Sequence, residues 1–430
     1  MSDPTPRRAG RRARMAARAA GPPSNPAPPG QIGGQYKPLS DADLHSIYRT
    51  ALRLLSDLGM GEVPTRLRAS LEAAGAVSMP NGRVSMPSTL VEEAIDHAPK
   101  TFTLHGRDPA RSIEVGGNAV HFGTGGAAVQ TLDRDSHIYR SATLADLHDF
   151  TRLQDALTNI SWFTRCCIAT DLPDEWALDV NTAYALLRNT NKPVATAFTL
   201  AEHVAPIVAM FDMAAGGEGS FAKRPFVKAH ISPVISPMRF GADAVETVYA
   251  CIAHNIPVSC ITAAQAGATA PATLAGFLAQ SLAETLASLV MVHAIKPGHP
   301  MVFSNWPLVI DLRTGAFAGG GGENAASAQL SNWLGLVSGV AACMTDAKAI
   351  DAQYGAEKGL TSLAAALAGG NLIYESSGMT AALLGASFEA FVLDDEMHAA
   401  TYRILRGVEV NEDNFGRHSP SGLPSDAKIA

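Results

Sequence analysis

From about Ala119 onward, short apolar runs alternate with longer segments in which apolar residues recur at helical spacing. The short runs predict buried parallel strands, and the longer segments predict helices that cover them. Strands are predicted at 119–126, 160–167, 193–199, 225–235, 257–264, 300–306, 341–348 and 371–378. Helices are predicted near 142–157, 174–189, 202–215, 241–254, 271–294, 325–339, 356–368 and 380–405. Eight strand-then-helix units in uniform order predict a (β/α)8 barrel rather than an open sheet.

The stretch before the barrel has a different pattern. Ser40 followed by Asp43 predicts a capping box, and apolar residues at helical spacing then continue as far as Gly59. Further helices are predicted near 65–74 and 87–97, and hairpins around the turn at 80–82 and over 102–115. These elements predict an amino-terminal cap of helices and short strands.

The first 36 residues contain six arginines and seven prolines but no apolar segment, a composition typical of disorder. Their paired arginines are similar to a twin-arginine export signal, but the Pro-rich stretch 16–30 stands where the apolar core of such a signal would follow. We therefore predict a disordered tail at 1–36, a cap at 37–118, the barrel at 119–410 and a second disordered tail at 411–430.

Composition narrows the class of protein. Hydrophobic residues make up 47% of the chain and charged residues 17%, which predicts a large core rich in small aliphatic side chains. The first 36 residues carry a net charge of +5, so the remaining chain carries −12 of the total of −7, which argues against a nucleic-acid partner. Gly, Pro or charge interrupts every apolar run, and the five cysteines form no CxxC pair. We expect a soluble, cytoplasmic protein that does not enter a membrane.

Candidate chemistry lies where predicted strands end, because loops at the carboxyl ends of barrel strands carry function. The stretch 294–357 is the least typical of plain scaffold. The candidate residues at or just beyond strand ends are Thr124, Gly125, His230, Gln265, Asn305, Trp306, Arg313, Asp346, Lys348, Tyr354 and Glu375.

Familiar catalytic motifs are missing from the sequence. It contains no Ser-His-Asp order, HExxH, GxSxG or phosphate-binding loop. His, Cys and carboxylate residues show no metal-ligand spacing, so no metal is predicted in this chain. This pattern agrees with a site that acts mainly by orientation and desolvation.

Several blocks resemble the signature blocks of the trimethylamine methyltransferase family. They are DLRTGA at 311–316, Glu323 beyond a Gly-rich loop, TDAKAIDAQYGAEK at 345–358, SPVISPM at 232–238 and FVLDDEM at 391–397. The resemblance implies a (β/α)8 barrel that moves a methyl group from a methylated amine to the cobalt of a separate corrinoid (cobalamin-type) protein, in one-carbon metabolism of the methanogenic type. The cofactor would thus belong to the partner.

The sequence contains no pyrrolysine, whereas the founding branch of that family uses pyrrolysine to act on trimethylamine. The chain therefore resembles the branch whose donors are quaternary amines such as glycine betaine. The tail at 414–430 departs from the family pattern. Two alternatives stay open: trimethylamine as the donor, or a barrel that binds a quaternary amine without turning it over.

A quaternary ammonium has no N–H group, so aromatic faces and carboxylates must hold it. Trp306, Tyr354, Tyr374 and Phe317 are the aromatic candidates, with Trp306 and Tyr354 assigned to the ammonium. When a methyl group is transferred from a quaternary ammonium, the remaining amine leaves as a neutral molecule, so no general acid is needed. The glycines at 315 and 319–322 would let the barrel mouth open to a large corrinoid, or form a plain surface loop.

The carboxylate of a betaine would be held by cations, for which Arg313 and Lys348 are the candidates. Arg313 alternatively braces its loop by pairing with Asp311 or Glu323. Asp346 and Glu375 are assigned to tuning the charge of the site. His230 has either a substrate or corrinoid role or a core role. Barrels of this size often associate, so a homo-oligomer is expected.

Overall fold

A computed structural model describes residues 25–314 and 321–411 of the chain. Phe317 and the loop glycines at 315, 319 and 320 lie outside the described residues, as do the tail segments 1–24 and 412–430.

The described chain contains a parallel sheet of eight strands that nearly closes into a barrel. The strands are β1 His121–Thr124, β2 Phe163–Thr164, β3 Val194–Thr196, β4 Val227–Ile231, β5 Val258–Thr262, β6 Met301–Asn305, β7 Ser338–Ala341 and β8 Leu372–Ser377. Their order is β1-β8-β7-β6-β5-β4-β3-β2. The Ser161 amide, just before β2, donates to Phe122 O of β1 at 3.1 Å and brings the two edge strands together. The predicted barrel is confirmed.

In the described part of the chain, eight helices follow the strands in turn. They are α1 Leu144–Ala156, α2 Glu175–Asn189, α3 Val204–Ala215, α4 Ala242–Ala253, α5 Leu274–Ile295, α6 Gly321–Trp333, α7 Ala352–Leu367 and α8 Phe388–Arg406. Short two-residue strand pairs extend the mouth, including Gln265–Ala266 with Leu308–Val309.

The cap consists of three helices, Asp41–Arg53, Thr65–Ala73 and Ser88–His97, and of hairpins formed by Val77–Ser78 with Val84–Ser85 and by Thr101–Leu104 with Ile113–Gly116. The predicted capping box is present, since the Ser40 hydroxyl accepts from the Asp43 amide and the Asp43 carboxylate accepts from the Ser40 amide. The first helix continues as a wider turn, Leu54–Leu58, and ends at Gly59, where φ is +70°.

The cap covers α5. Within the described residues, α5 is the one helix long and apolar enough to span a bilayer, but 83% of its most apolar window is buried inside the fold. Leu44 and Ile47 of the first cap helix and Leu90 of the third belong to the same apolar cluster as the α5 side chains. Packing on two sides therefore accounts for the apolar composition of this helix.

Residues 25–36 differ from the prediction, because they pack against the barrel instead of belonging to a disordered arm. The Gly30 amide donates to Val120 O at 2.8 Å, and the Gly34 amide donates to Leu367 O at 2.8 Å. A Cβ on Gly33 would lie 2.2 Å from Ala366 O, so only glycine fits there. Backbone hydrogen bonds hold this segment. The prediction of disorder was based on the lack of apolar side chains, which does not reveal such backbone contacts.

The seventh strand was placed too late in the chain. Ser338–Ala341 is the strand, whereas the prediction was 341–348. The buried apolar run at 342–344 misled the prediction, because it continues past the strand as a packed loop. Asp346 and Lys348 consequently lie five and seven residues beyond the strand end.

Candidate active site

An aromatic cluster fills the carboxyl end of the barrel. The ring of Trp306, which follows β6, lies 4.9 Å from the Tyr374 ring of β8 and 5.7 Å from the His230 ring of β4. His230 also lies 5.7 Å from Tyr374, so the three rings meet, and Trp306 is only 7% exposed. The structure therefore brings together two of the predicted site residues and one further aromatic candidate.

A buried lysine lies beneath these rings. The Lys228 Nζ atom donates to Tyr374 Oη at 2.5 Å and lies 4.7 Å from the ring centres of Trp162 and Tyr374. Tyr374 Oη is also 2.5 Å from Ser259 Oγ. Among the described residues no carboxylate lies within ion-pair distance of Lys228, and burial holds its pKa well below its usual range. Lys228 was missed because a lysine inside an apolar strand does not reveal which face it occupies.

His230 is neutral at pH 7. Burial is the first cause of the strong lowering of the His230 pKa, followed by the positive charges of Lys228 and Arg165. Its Nδ1 atom is buried and has no hydrogen-bond partner among the described residues. Trp306 Nε1 is likewise buried and without a partner in the described part of the chain. Unpartnered buried polar atoms at the carboxyl end of a barrel mark a candidate ligand site.

Glu375 lies on a bulge of β8. Its φ is +59°, and the pairing of β8 with β1 shifts register between Ile373 and Ser377. A Cβ on Gly125 would lie 1.5 Å from Glu375 Oε2, so Gly125 is required for the carboxyl to occupy this place. Glu375 Oε2 is buried with no partner in the described residues. The bulge and the glycine together place an unpaired carboxyl at the barrel mouth.

Burial raises the pKa of Glu375 to about 7, and the positive charge of Lys358 offsets part of that effect. The carboxyl is therefore half ionised near pH 7. A bound cation would favour the ionised form further.

This raised pKa predicts a pH-dependent effect of Glu375→Gln on stability. The native state keeps its proton up to about pH 7, whereas the unfolded chain releases it near 4.5, so the native state loses stability as pH rises between these values. The amide that replaces the carboxyl does not titrate, and the variant should become more stable than wild type by up to about 3 kcal/mol above pH 7. Urea unfolding at about pH 4.5 and about pH 8 measures the difference. Equal stability of the two proteins at the higher pH would contradict the assignment.

Two of the other predicted carboxyl-end residues, Thr124 and Asn305, have structural partners. Thr124 Oγ1 accepts from the Thr164 amide at 3.1 Å and so joins β1 to β2. The Asn305 Oδ1 atom accepts from the Ser281 hydroxyl, whereas its Nδ2 atom is buried and lacks a partner among the residues described. Gln265 lies half-buried on the short strand beyond β5. Asn305 thus keeps a buried donor that has no partner among the described residues.

The two predicted carboxylate-binding cations are not brought to the aromatic cluster. The Arg313 side chain is 89% exposed and holds Asp311 with bonds of 3.0 and 3.1 Å, the bracing role considered from the sequence. The Lys348 side chain is 65% exposed and pairs with Asp346 at 2.7 Å. Both ion pairs lie in loops. The Asp346–Lys348 pair does so because β7 ends at Ala341, earlier than predicted. The Asp311–Arg313 pair lies in the exposed loop that follows β6.

Tyr354 also lies elsewhere. It is on α7, and its hydroxyl donates to Asp394 Oδ1 of α8 at 2.7 Å. Asp394 in turn pairs with Lys358 Nζ at 2.7 Å, and the side chains of that ion pair are 1% and 0% exposed. Burial raises the pKa of Tyr354, so its phenol stays protonated. These residues join α7 to α8 behind the barrel wall.

One grouping of possible metal ligands was missed in the sequence. Glu93 and His97, one helical turn apart in the cap, and His293 of α5 have ligand atoms within 4.8 Å of one another. The prediction of no metal-ligand spacing overlooked the helical spacing of the first two. Because α5 runs back toward the amino ends of the strands, this grouping lies away from the barrel mouth.

The fold and the polar and aromatic groups at the carboxyl ends of the strands define an enzyme of the (β/α)8 barrel class. The family model of trimethylamine methyltransferase (MTTB) matches residues 7–424, and the chain belongs to this family. It is a methyltransferase.

Several relatives are similar along most of the chain. Trimethylamine methyltransferase MttB of Desulfitobacterium hafniense (strain DSM 10664 / DCB-2) is 30% identical over 381 residues, which cover 87% of this chain and 76% of that protein. Glycine betaine methyltransferase of Desulfitobacterium hafniense (strain Y51) is 26% identical over 393 residues, which cover 90% of this chain and 81% of that protein. The solved monomethylamine methyltransferase (MtmB) of Methanosarcina barkeri has the same fold, with a TM-score of 0.52 at 15% identity, covering 92% of this chain and 85% of that chain.

Proposed function

We propose that this methyltransferase moves a methyl group from a quaternary amine, with glycine betaine as the first choice, to the cobalt of a separate corrinoid protein. Family membership supports a methylated amine as the donor, and one of the similar relatives is a glycine betaine methyltransferase. The observation that carries the proposal is the carboxyl of Glu375, which follows Tyr374 of the aromatic cluster on β8 and whose Oε2 atom is buried and unpartnered among the described residues. A fixed positive charge is the partner that such a carboxyl lacks.

The chemistry needs little from the protein beyond placement. The electron pair of cobalt(I) forms a bond to a methyl carbon while the carbon–nitrogen bond breaks, and its electron pair stays on nitrogen. The amine leaves neutral, so no proton is required. A neutral His230 is compatible with this reaction, because a cationic imidazole would repel the ammonium.

The aromatic rings stabilise the cation once water has been excluded. A cation over the face of a tryptophan gains up to about 2 kcal/mol when both are desolvated. Trp306 and Tyr374 are in contact at 4.9 Å, so an ammonium group has to displace the Trp306 ring or bind on its outer side. Orientation of one methyl group toward the incoming cobalt then supplies most of the rate gain.

Trimethylamine is the second candidate donor. It is supported by the 30% identity to trimethylamine methyltransferase MttB, against 26% for the glycine betaine enzyme. Trimethylamine differs from betaine in lacking a carboxylate and a permanent charge. A barrel that binds a quaternary amine without transfer is the third possibility considered.

A transfer assay tests the proposal. Purified protein, a reduced corrinoid protein and one donor are mixed, and the cobalt(I) absorbance is followed. We expect loss of cobalt(I) and formation of methyl-cobalt(III) with glycine betaine, and rates lower by at least about tenfold with trimethylamine, since each lost charge contact is worth above about 1.4 kcal/mol. Calorimetry of donor binding accompanies the assay. Transfer from trimethylamine alone would replace the proposed donor, and binding of betaine without transfer by any tested corrinoid protein would favour the inactive barrel.

A further inference from the structure

Arg165, a half-buried charge at the barrel mouth, has no ion-pair partner among the described residues. Arg165 follows β2 directly, and its Nε atom donates a long hydrogen bond of 3.4 Å to Gly126 O. Its Nη1 atom is buried and without a hydrogen-bond partner in the part of the chain that the structure describes. A guanidinium with a buried and unpartnered Nη1 atom is destabilised unless a bound ligand supplies an anion for it.

The acid that influences Arg165 most is already engaged. Burial lowers the pKa of Arg165, and the negative charge of Asp179 opposes this shift. However, the Asp179 carboxylate accepts from the Thr199 amide at 2.6 Å, from the Thr199 hydroxyl at 2.8 Å and from His203 Nδ1 at 2.8 Å. Asp179 therefore offsets the charge from a distance and leaves the guanidinium fork unused.

Arg165 and Glu375 face consecutive residues. Glu375 Oε2 lies against Gly125, and Arg165 Nε contacts the carbonyl of Gly126. Neighbouring Cα atoms are about 3.8 Å apart, so the guanidinium and the carboxyl contact backbone positions only one residue from each other. The positive charge of Arg165 also contributes to the lowered pKa of His230, after burial and the charge of Lys228.

We propose that Arg165 forms a carboxylate subsite in the donor pocket, so that the preferred donors are short zwitterions with a quaternary ammonium and a carboxylate. The ammonium lies between Glu375 and the aromatic cluster, and the carboxylate accepts from the guanidinium fork. The inference rests on the proposed function, because it assigns one end of the same donor. It differs from the sequence prediction, in which Arg313 and Lys348 held the carboxylate.

Two ligands distinguish recognition of the ammonium end of the donor from recognition of its carboxylate end. Glycine betaine and choline share the trimethylammonium group, but choline has a hydroxyl in place of the carboxylate. We expect Arg165→Met to weaken glycine betaine binding by about 30-fold or more, as loss of a charge-assisted pair implies, and to change choline binding by less than about threefold. Isothermal calorimetry gives both dissociation constants. Arg152→Met, which removes an exposed arginine on α1, is the matched control and should change neither.

Folding is checked by thermal unfolding, and Arg165→Lys is the second variant. It keeps the charge but loses the fork, so it should lose part of the betaine affinity and none of the choline affinity. Equal weakening of both ligands by Arg165→Met, or no weakening of betaine, would overturn the inference while leaving the donor class in place. Loss of betaine affinity in Arg313→Met but not in Arg165→Met would move the subsite to the loop. Binding of neither ligand by wild type would overturn the proposed function itself.

Discussion

Replacing Lys358 with methionine is expected to lower the free energy of unfolding by about 3–5 kcal/mol, because it leaves a buried carboxylate without its counter-charge. The Lys358 and Asp394 side chains are 0% and 1% exposed and lie 2.7 Å apart. Asp394 also accepts from the Gly378 amide at 2.7 Å, directly after β8. The variant should therefore loosen the strand that carries Glu375 as well as the contact between α7 and α8. Urea unfolding at about pH 7 measures the loss.

The chain contains a matched control for this prediction. Lys348 and Asp346 form a pair of the same 2.7 Å length, but the lysine is 65% exposed. Lys348→Met should change the free energy of unfolding by less than about 1 kcal/mol, because solvent screens such a pair. The double variant Lys358→Met/Asp394→Leu should recover most of the loss by removing both charges. A loss in Lys358→Met no greater than that in Lys348→Met would contradict the prediction.

Glu375→Gln is expected to lower kcat/KM for methyl transfer from glycine betaine by about two to three orders of magnitude. Opposite unit charges about 4 Å apart gain about 4 kcal/mol at an effective dielectric of about 20, and most of that is lost when the carboxylate becomes an amide. The side chain keeps its shape, so the cavity and the Gly125 contact are preserved. The rate of cobalt(I) consumption at several donor concentrations gives the constant.

Stability separates this effect from misfolding. The same variant is expected to be more stable than wild type above about pH 7, so lost activity cannot be assigned to unfolding. Glu396→Gln, on the exposed face of α8, is the control and should leave the rate unchanged. If Glu375→Gln transferred methyl groups at the wild-type rate, the carboxyl would have no part in holding the donor. A more stable but inactive variant would show that this site is maintained at the expense of folding free energy.

The strands were predictable because each is a short apolar run bounded by turn residues, and seven of the eight lie within their predicted ranges. The seventh was not, since the apolar residues at 342–344 are buried in a loop rather than in the sheet. This error in the predicted position of the seventh strand explains why Asp346 and Lys348 were expected at the site. The pattern of apolar residues along the sequence indicates which residues are buried, and the residues of a packed loop can be as buried as those of a strand.

The candidate site was predictable only in part. Trp306, His230 and Glu375 were found because polar or aromatic residues ending an apolar run stand out. Arg165 and Lys228 were missed, because the sequence placed both within strands and could not show which residues turn inward. Both residues are now distinguished by having no ion-pair partner among the described residues. This depends on which residues are neighbours in three dimensions, and residue spacing in the sequence does not show it.

The covering of α5 by the cap has a consequence for synthesis. Residues 41–97 leave the ribosome well before residues 274–295, so all three cap helices have been synthesised when the apolar helix emerges. A nascent chain that exposed this helix alone would offer the cell a segment hard to distinguish from a membrane anchor. The order of the elements along the chain thus makes the covering helices available as soon as α5 has been synthesised.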